Sequence, residues 1–554
     1  MLQERPTFAI ALFLLLPAAT PVGAGEPLDA ESAPRIVNIV NFIRLLEPRS
    51  EEITEERLFR TVQRQAELMQ QHNLPGTFLL QYDALMDPRY QEFLKSLPTE
   101  QFEIGGWWEL PQPLVEKAGL PWRGRYAWDW HANVGFASGY TPAEREKLVD
   151  VYMADFHSIF GDYPKSVASW FIDAHTLRYM HEKYGVVASA NCKDQVGTDG
   201  YTLWGGYWNQ AYYPSKRNAY MPAQTEDGQI PVPIFRMLGS DPLRQYDTGV
   251  GSGAQGVISL EPVYGDSGGG RQWVDWYMKN LVEGECLAFN YAQAGQENSF
   301  TWRSMRRGLQ YQFPLIAQLR DKGELRVETL ASSGEWFRQK FATTPATSMA
   351  YLSPLDNDNR QTVWFNSRFY RANLIWEDEH LRVRDIHLFD ESVASPILAD
   401  KVDKPAVEFF TLPVVDGFRW SSRETRAGLI FKAEVDGKVV VLSGRSPRVF
   451  KSMPDTLSIE WPLTNVDGRL SIVLDEKSMS VSTDRTELRW WLELETADRN
   501  GLPLKRITQT ALSYEFQGTS YQVGLGQGAI EEEDKRLCIW PSRQGVTLNL
   551  ATGR

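Results

Sequence analysis

The strongest constraint in this sequence is a rhythm. Between residues 36 and 341 short β-rich apolar runs alternate with stretches of helical periodicity. The run 36–43 (IVNIVNFI) is followed by 55–71, which spaces Leu58, Val62 and Leu68 at roughly helical intervals behind Thr54, a suitable N-cap. Strand 76–83 and helix 88–97 repeat the pattern, and 102–106 supplies a third strand that ends in Trp107-Trp108-Glu109. After a long aromatic loop, Thr141-Pro142-Ala143-Glu144 opens a helix with a cap, a proline at its first position and an acidic first turn. Strand 166–172, helix 174–183 and strand 186–190 come next. Beyond a second loop region lie apolar runs at 230–238, 256–262, 286–291 and 325–329, with helices over 272–283, 302–320 and 335–341. Alternation at this spacing makes parallel βαβ units, and seven or eight of them predict an α/β chain with a (β/α)7 or (β/α)8 barrel over residues 25–345.

From residue 348 the rhythm changes to short alternating segments with Gly, Asp and Asn turns, such as GLIFKAEVDGKVVVLSG. Regular short strands of this kind predict an all-β sandwich domain over 346–554. Ahead of the barrel, Arg5, the apolar run 8–16 and Val22-Gly23-Ala24 read as a signal peptide over 1–24, so the expected location is periplasmic or secreted. No later stretch reaches the roughly 20 apolar residues of a membrane span.

A formal net charge of -13 argues against a nucleic-acid or anionic-membrane partner, because those surfaces demand clustered Lys and Arg. Aromatic residues make up 12% of the chain, with 19 Trp, and surplus indoles in loops suit the flat faces of sugar rings. A carbohydrate is therefore the expected partner; the sugar, the linkage and the oligomeric state stay open. Cys192, Cys286 and Cys538 are expected as buried, unpaired thiols. Asp129, His131, Asp173 and His175 include metal-ligand types, but neither HxxxH nor HExxH occurs, so no metal and no cofactor are expected.

In barrels of this kind the chemistry sits where strands end. The polar residues that follow the predicted strands are Asn41 and Arg44, Asp83, Trp108 and Glu109, Asp173, Lys193 and Asp194, Glu261, and Gln293 with Glu297, and the barrel predicts that they converge on one mouth. Asp173 in SWFIDAHTL ends an apolar strand and is the expected nucleophile or base; the competing account makes it the N-cap of the helix that starts at Ala174. Glu261 in ISLEPVYGD has the same placement and is the expected acid, since glycoside cleavage needs two carboxyls on different strand ends. His131 in WDWHANVGF, with Asp129 two residues earlier, is the expected proton shuttle. Trp107, Trp108, Trp128, Trp204 and Tyr213 are candidates for sugar stacking. Glu109, Arg125, Lys193, Asp194, Asp199, Asn209, Gln293 and Glu297 are candidates for polar contacts with the substrate. GSGAQG at 251–256 fits GxGxxG only formally, because no helix follows it, and GDSGG at 265–269 lacks the sharp strand-to-helix turn of a serine nucleophile.

The order GGWWE (105–109), WDWH (128–131), GYTPAERE (139–146), FGDYPKSVASWF (160–171) and KYGV (183–186) resembles the polysaccharide deacetylase and glycoside hydrolase superfamily, over roughly residues 35–330. The resemblance implies a distorted (β/α)7 barrel. Its deacetylase branch implies a metal held by an Asp after the first strand and by a HxxxH pair; here Asn41 stands at the first position and His131 alone in the corresponding loop. The retaining hydrolases of glycoside hydrolase family fifty-seven carry their nucleophile at the end of the fourth strand, where Asp173 is similarly placed. What these features together imply is an exported glycoside hydrolase. A metal-dependent deacetylase-like hydrolase and a non-catalytic carbohydrate-binding protein are the alternatives.

Overall fold

The computed structural model describes residues 33–45, 51–356, 358–533, 536–543 and 545–551; the signal peptide expected over 1–24 lies outside them. Seven parallel strands build the barrel: β1 Arg35–Ile43, β2 Gly76–Leu80, β3 Phe102–Trp107, β4 Ser166–Ala168, β5 Ala188–Asn191, and then, after β6 Gln195–Thr198, β7 Tyr201–Trp204 and β8 Ala211–Tyr212, the strands β9 Ile234–Arg236 and β10 Asn290–Ala294. They are ordered β10-β1-β2-β3-β4-β5-β9, with β8 added antiparallel to β9 and β11 (Arg326–Glu328) also pairing with β1. No pairing joins β9 to β10 among the described residues; there the segment 258–261 crosses the opening, tied by a Ser240–Ser259 bridge and by Leu260 N–H donating to Leu238 O at 3.0 Å.

Strand alternation sorts the core into two layers. Ile36, Val40 and Phe42 of β1, Leu79, Trp107, Ala168, Ala188, Ala190, Phe235 and Tyr291 share one interior cluster. Their strand neighbours Val37, Ile39, Phe78, Phe102, Val167 and Ile234 pack outward with the helices. These are α1 Glu55–Gln71, α2 Tyr82–Leu85, α3 Pro88–Lys95, α4 Gln112–Lys117, α5 Pro142–Phe160, α6 Ala174–Tyr184, α7 Arg271–Glu283, α8 Thr301–Asp321 and α9 Leu330–Lys340. Thr54 caps α1, and Thr141 with Glu144 forms a reciprocal capping box on α5. No helix among the described residues is long and apolar enough to cross a membrane.

Several expected strands differ: that over 76–83 ends at Leu80, with Tyr82 and Asp83 in α2, and the run 230–238 is strand only over Ile234–Arg236. The strand expected over 166–172 stops at Ala168, the one expected over 286–291 is shifted to Asn290–Ala294, and 256–262 is a clamped crossing segment with only one bridge. The clamp is tight: a Cβ on Gly308 of α8 would lie 2.5 Å from Pro262 O, and one on Gly268 would lie 2.3 Å from the Leu260 carbonyl carbon. The GDSGG run is thus a packing device that seats residues 260–262.

The last barrel helix ends at Lys340, and from Thr347 onward the regular elements among the described residues are all strands. They form two antiparallel sheets of ten and eight strands around a common apolar core. The strand Val407–Phe410 of this region lies parallel to β7 in a three-stranded sheet, so the sandwich also completes a hairpin next to the barrel mouth.

Candidate active site

The C-terminal ends of β1, β3, β5 and β10, with the crossing segment 258–261, bring Arg44, Glu109, Lys193, Glu261 and Glu297 into one buried charged cluster. Arg44, two places beyond Phe42, continues the inward-facing alternation of β1. Its Nη2 donates to Glu297, and its Nη1 lies 3.7 Å from Glu109 Oε2. Its guanidinium lies 4.5 Å from the centre of the Trp128 ring, which closes over it. Below these groups Phe42 and Trp107 stack at 4.0 Å, with Trp170 set edge-on against both.

Glu109 is the unusual member. It is fully buried; Arg44 Nη1 lies 3.7 Å away and the Trp107 indole is close by, but among the described residues no donor reaches its oxygens with normal hydrogen-bond geometry. Burial pushes its carboxyl up to about 7 against the pull of Arg44, and the nearby Glu297 and exposed Asp199 push the same way. Glu261 is also raised, again chiefly by burial, but its oxygens are engaged: Ser259 Oγ donates at 2.7 Å and Gln296 Nε2 at 3.1 Å. Gln312 Nε2 of α8 donates to Leu260 O and Gly268 O, which fixes the backbone that carries Glu261. Lys193 is buried without a partner for its Nζ, and desolvation lowers its pKa although Glu261 and Asp194 lie close enough to oppose it. Gln293 Oε1 is likewise buried without a partner.

The other expected residues have different duties. Asp173 accepts from Thr176 N (3.0 Å), Thr176 Oγ1 (2.6 Å) and the buried Arg145 Nη1 (3.1 Å), so its oxygens are consumed by the cap of α6 and an ion pair. This is the geometry of the capping account that stands beside the nucleophile in the sequence reading. Asp173→Asn is expected to lower stability by about 2–4 kcal/mol, with activity falling only as far as folded protein is lost; denaturant unfolding alongside turnover checks this. Asp194 accepts from Tyr220, Arg236, Gly205 N–H and Arg371, a saturated set that ties the barrel to the sandwich and leaves nothing for a substrate. Trp204 donates to Asp416 and packs on Tyr246 and Phe418; Asn209 donates to Ser240 O; Tyr213 donates to Phe341 O. Trp108 packs against Tyr152 in the helix layer. None of these four stacks on or bonds to the cluster.

Asp129 is held by Arg125 through its side chain and backbone, and by His131 N–H at 3.1 Å; His131 Nδ1 lies 3.4 Å away and its side chain is 30% exposed. Burial alone would raise Asp129, but the hydrogen bonds from Arg125 and His131 hold it down to about 2. Such an acid cannot exchange protons near neutrality. Its effect is to shape the loop that lays Trp128 on Arg44. Asn41 points away from the mouth, toward Gln65 and Met69 of α1. His175 pairs with Glu146 and His181 with Val186 O, both on the outer helix layer. All three cysteines are buried, and none forms a disulfide among the described residues. Among the described residues no group of three or more His, Cys, Asp or Glu is placed to hold a metal ion.

Gln296, Ser259, Phe42 and Trp170 complete the cluster without standing among the residues expected there from the sequence. Arg44 was accessible to the strand-end rule; Gln296 and Ser259 acquire their roles only when β10 and the crossing segment meet.

Among solved structures, the chain is similar to a protein from Parabacteroides distasonis assigned as a glycoside hydrolase/deacetylase, at 16% identity and a TM-score of 0.52, covering 70% of this chain and 92% of that one. The barrel has that fold. A weaker likeness, to 4-alpha-glucanotransferase from Thermococcus litoralis, has 9% identity and a TM-score of 0.32 over 93% of this chain and 97% of that one. No family model matches the chain, and no curated protein matches it.

Proposed function

We propose that the protein is an exported glycoside hydrolase that works through the carboxyl cluster at the barrel mouth, with Glu109 as general acid. The observation that carries this is Glu109 itself: a strand-end carboxyl, fully buried, with no well-formed hydrogen bond among the described residues, and raised to about 7. A group so tuned holds a proton at working pH and releases it readily to a leaving oxygen. Cleavage also needs an ionised carboxylate. Glu297, paired with Arg44, meets that need and lies within electrostatic reach of both Glu109 and Glu261. The acid role thus passes from Glu261, whose oxygens accept from Ser259 and Gln296, to Glu109, which has only the looser contact with Arg44 at 3.7 Å and the Trp107 indole beside it. The partner role passes from Asp173 to Glu297. Glu261 stays in the site as a third carboxyl beside Lys193. The glycoside hydrolase/deacetylase assignment of the Parabacteroides distasonis protein supports a carbohydrate substrate, and the signal-peptide pattern in the sequence over 1–24 supports export.

A metal-dependent deacetylase is less well supported, because the described residues bring no ligand set together. The test is a panel of oligo- and polysaccharides with product analysis on the mature protein. The reading expects new reducing ends, with turnover at least about 100-fold lower in Glu297→Gln. Release of acetate without chain cleavage would overturn it.

A further inference from the structure

We propose that Lys193 is the receptor for a carboxylate, so that the glycan taken at the barrel mouth carries a uronic acid. The inference rests on the reading of the mouth as a carbohydrate site. Lys193 lies two residues beyond β5, buried, and among the described residues its Nζ has no hydrogen-bond or ion-pair partner. The charged groups near it are accounted for. Asp194 is shared between Arg236 and Arg371 and also accepts from Tyr220 and Gly205, while Arg236 adds a like charge beside Lys193. Glu261 gives its oxygens to Ser259 and Gln296, and burial favours its protonated form. Cys192 is a thiol pushed up to about 12 by burial, and so uncharged.

A buried amine with three possible donors and no acceptor is a costly arrangement, and a group brought by a ligand resolves it. A sugar hydroxyl would satisfy one donor and leave the charge unpaired. A carboxylate satisfies the donors and supplies the counter-charge that holds on Lys193 the proton burial disfavours. The other cation of the mouth, Arg44, already has Glu297 and Glu109 beside it, whereas Lys193 has only the through-space pull of Glu261 and Asp194, whose oxygens are hydrogen-bonded to other groups.

The test measures binding of glucuronate, galacturonate and mannuronate oligosaccharides, and of the matching neutral glucose, galactose and mannose oligosaccharides, to the full mature chain by calorimetry. The expected result is tighter binding of at least one uronate over its neutral counterpart. In Lys193→Met that uronate should bind at least about 30-fold more weakly, while any neutral binding changes by about twofold or less. Thermal unfolding of the variant, expected at or above the native midpoint, shows that the loss is not one of folding. Lys193→Arg should recover part of the preference for the acid. Neutral sugars bound equally well, with Lys193→Met indifferent, would overturn this inference and leave the hydrolase reading standing. Failure of every sugar to bind would overturn both.

Discussion

Glu109→Gln is expected to stop turnover and to stabilise the protein at the same time. Loss of a positioned proton donor lowers kcat by about 100- to 10,000-fold. The stability gain follows from linkage. The folded state holds the Glu109 proton up to about 7, whereas the ordinary value is 4.5. Below 4.5 both states are protonated and burial of the charge costs nothing. As pH rises toward 7 the unfolded chain releases the proton while the folded chain retains it. Stability contributed by the protonated form is lost over that window, by about 3 kcal/mol. Glutamine does not titrate. The stability of Glu109→Gln relative to native should therefore rise between pH 4.5 and 7 and level off above it, as measured by denaturant unfolding at several pH values. A parallel pair of curves would show that Glu109 ionises as an ordinary carboxyl.

The second large effect concerns folding. Asp194→Asn is expected to cost about 3–5 kcal/mol, because it removes the charge between two buried arginines, Arg236 of the barrel and Arg371 of the sandwich. Arg371 keeps Asp385, whereas Arg236 has no other acid partner among the described residues. The damage should appear as a lower denaturant midpoint, with the barrel side losing most. A variant with native stability would mean that the network contributes little to joining the two parts.

The barrel was legible because its signals are local. Apolar runs of strand length, caps such as Thr54 and Thr141, and helical spacing of Leu58 and Val62 need no long-range knowledge. The strand-end rule also found Arg44, Glu109, Lys193, Glu261 and Glu297, since a residue just beyond an inward-facing strand position has few places to go but the mouth. Ranking them was another matter. Asp173 and Asp194 look from sequence as suitable as Glu109, and what separates them is how many donors meet their oxygens. For Asp194 one of those donors lies 177 residues away.

The aromatic loops misled for the same reason. Trp208 stacks on Trp364 at 3.8 Å, and Trp204 meets Phe418. Trp204, a candidate for sugar stacking, is thus packing between barrel and sandwich, as is Trp208 beside it. The position of β10 and the failure of 256–262 to form a strand were also hidden. Both are set by which residues meet β1, β9 and α8 in space, not by local propensity.

The pH dependence of kcat/KM on a cleaved glycan, from pH 5 to 9, tests the central claim most directly. The account predicts an alkaline limb with its midpoint near 7, where Glu109 gives up its proton, and its disappearance with the residual activity of Glu109→Gln. A profile flat to pH 9 in the native protein, or full activity in the variant, would contradict it.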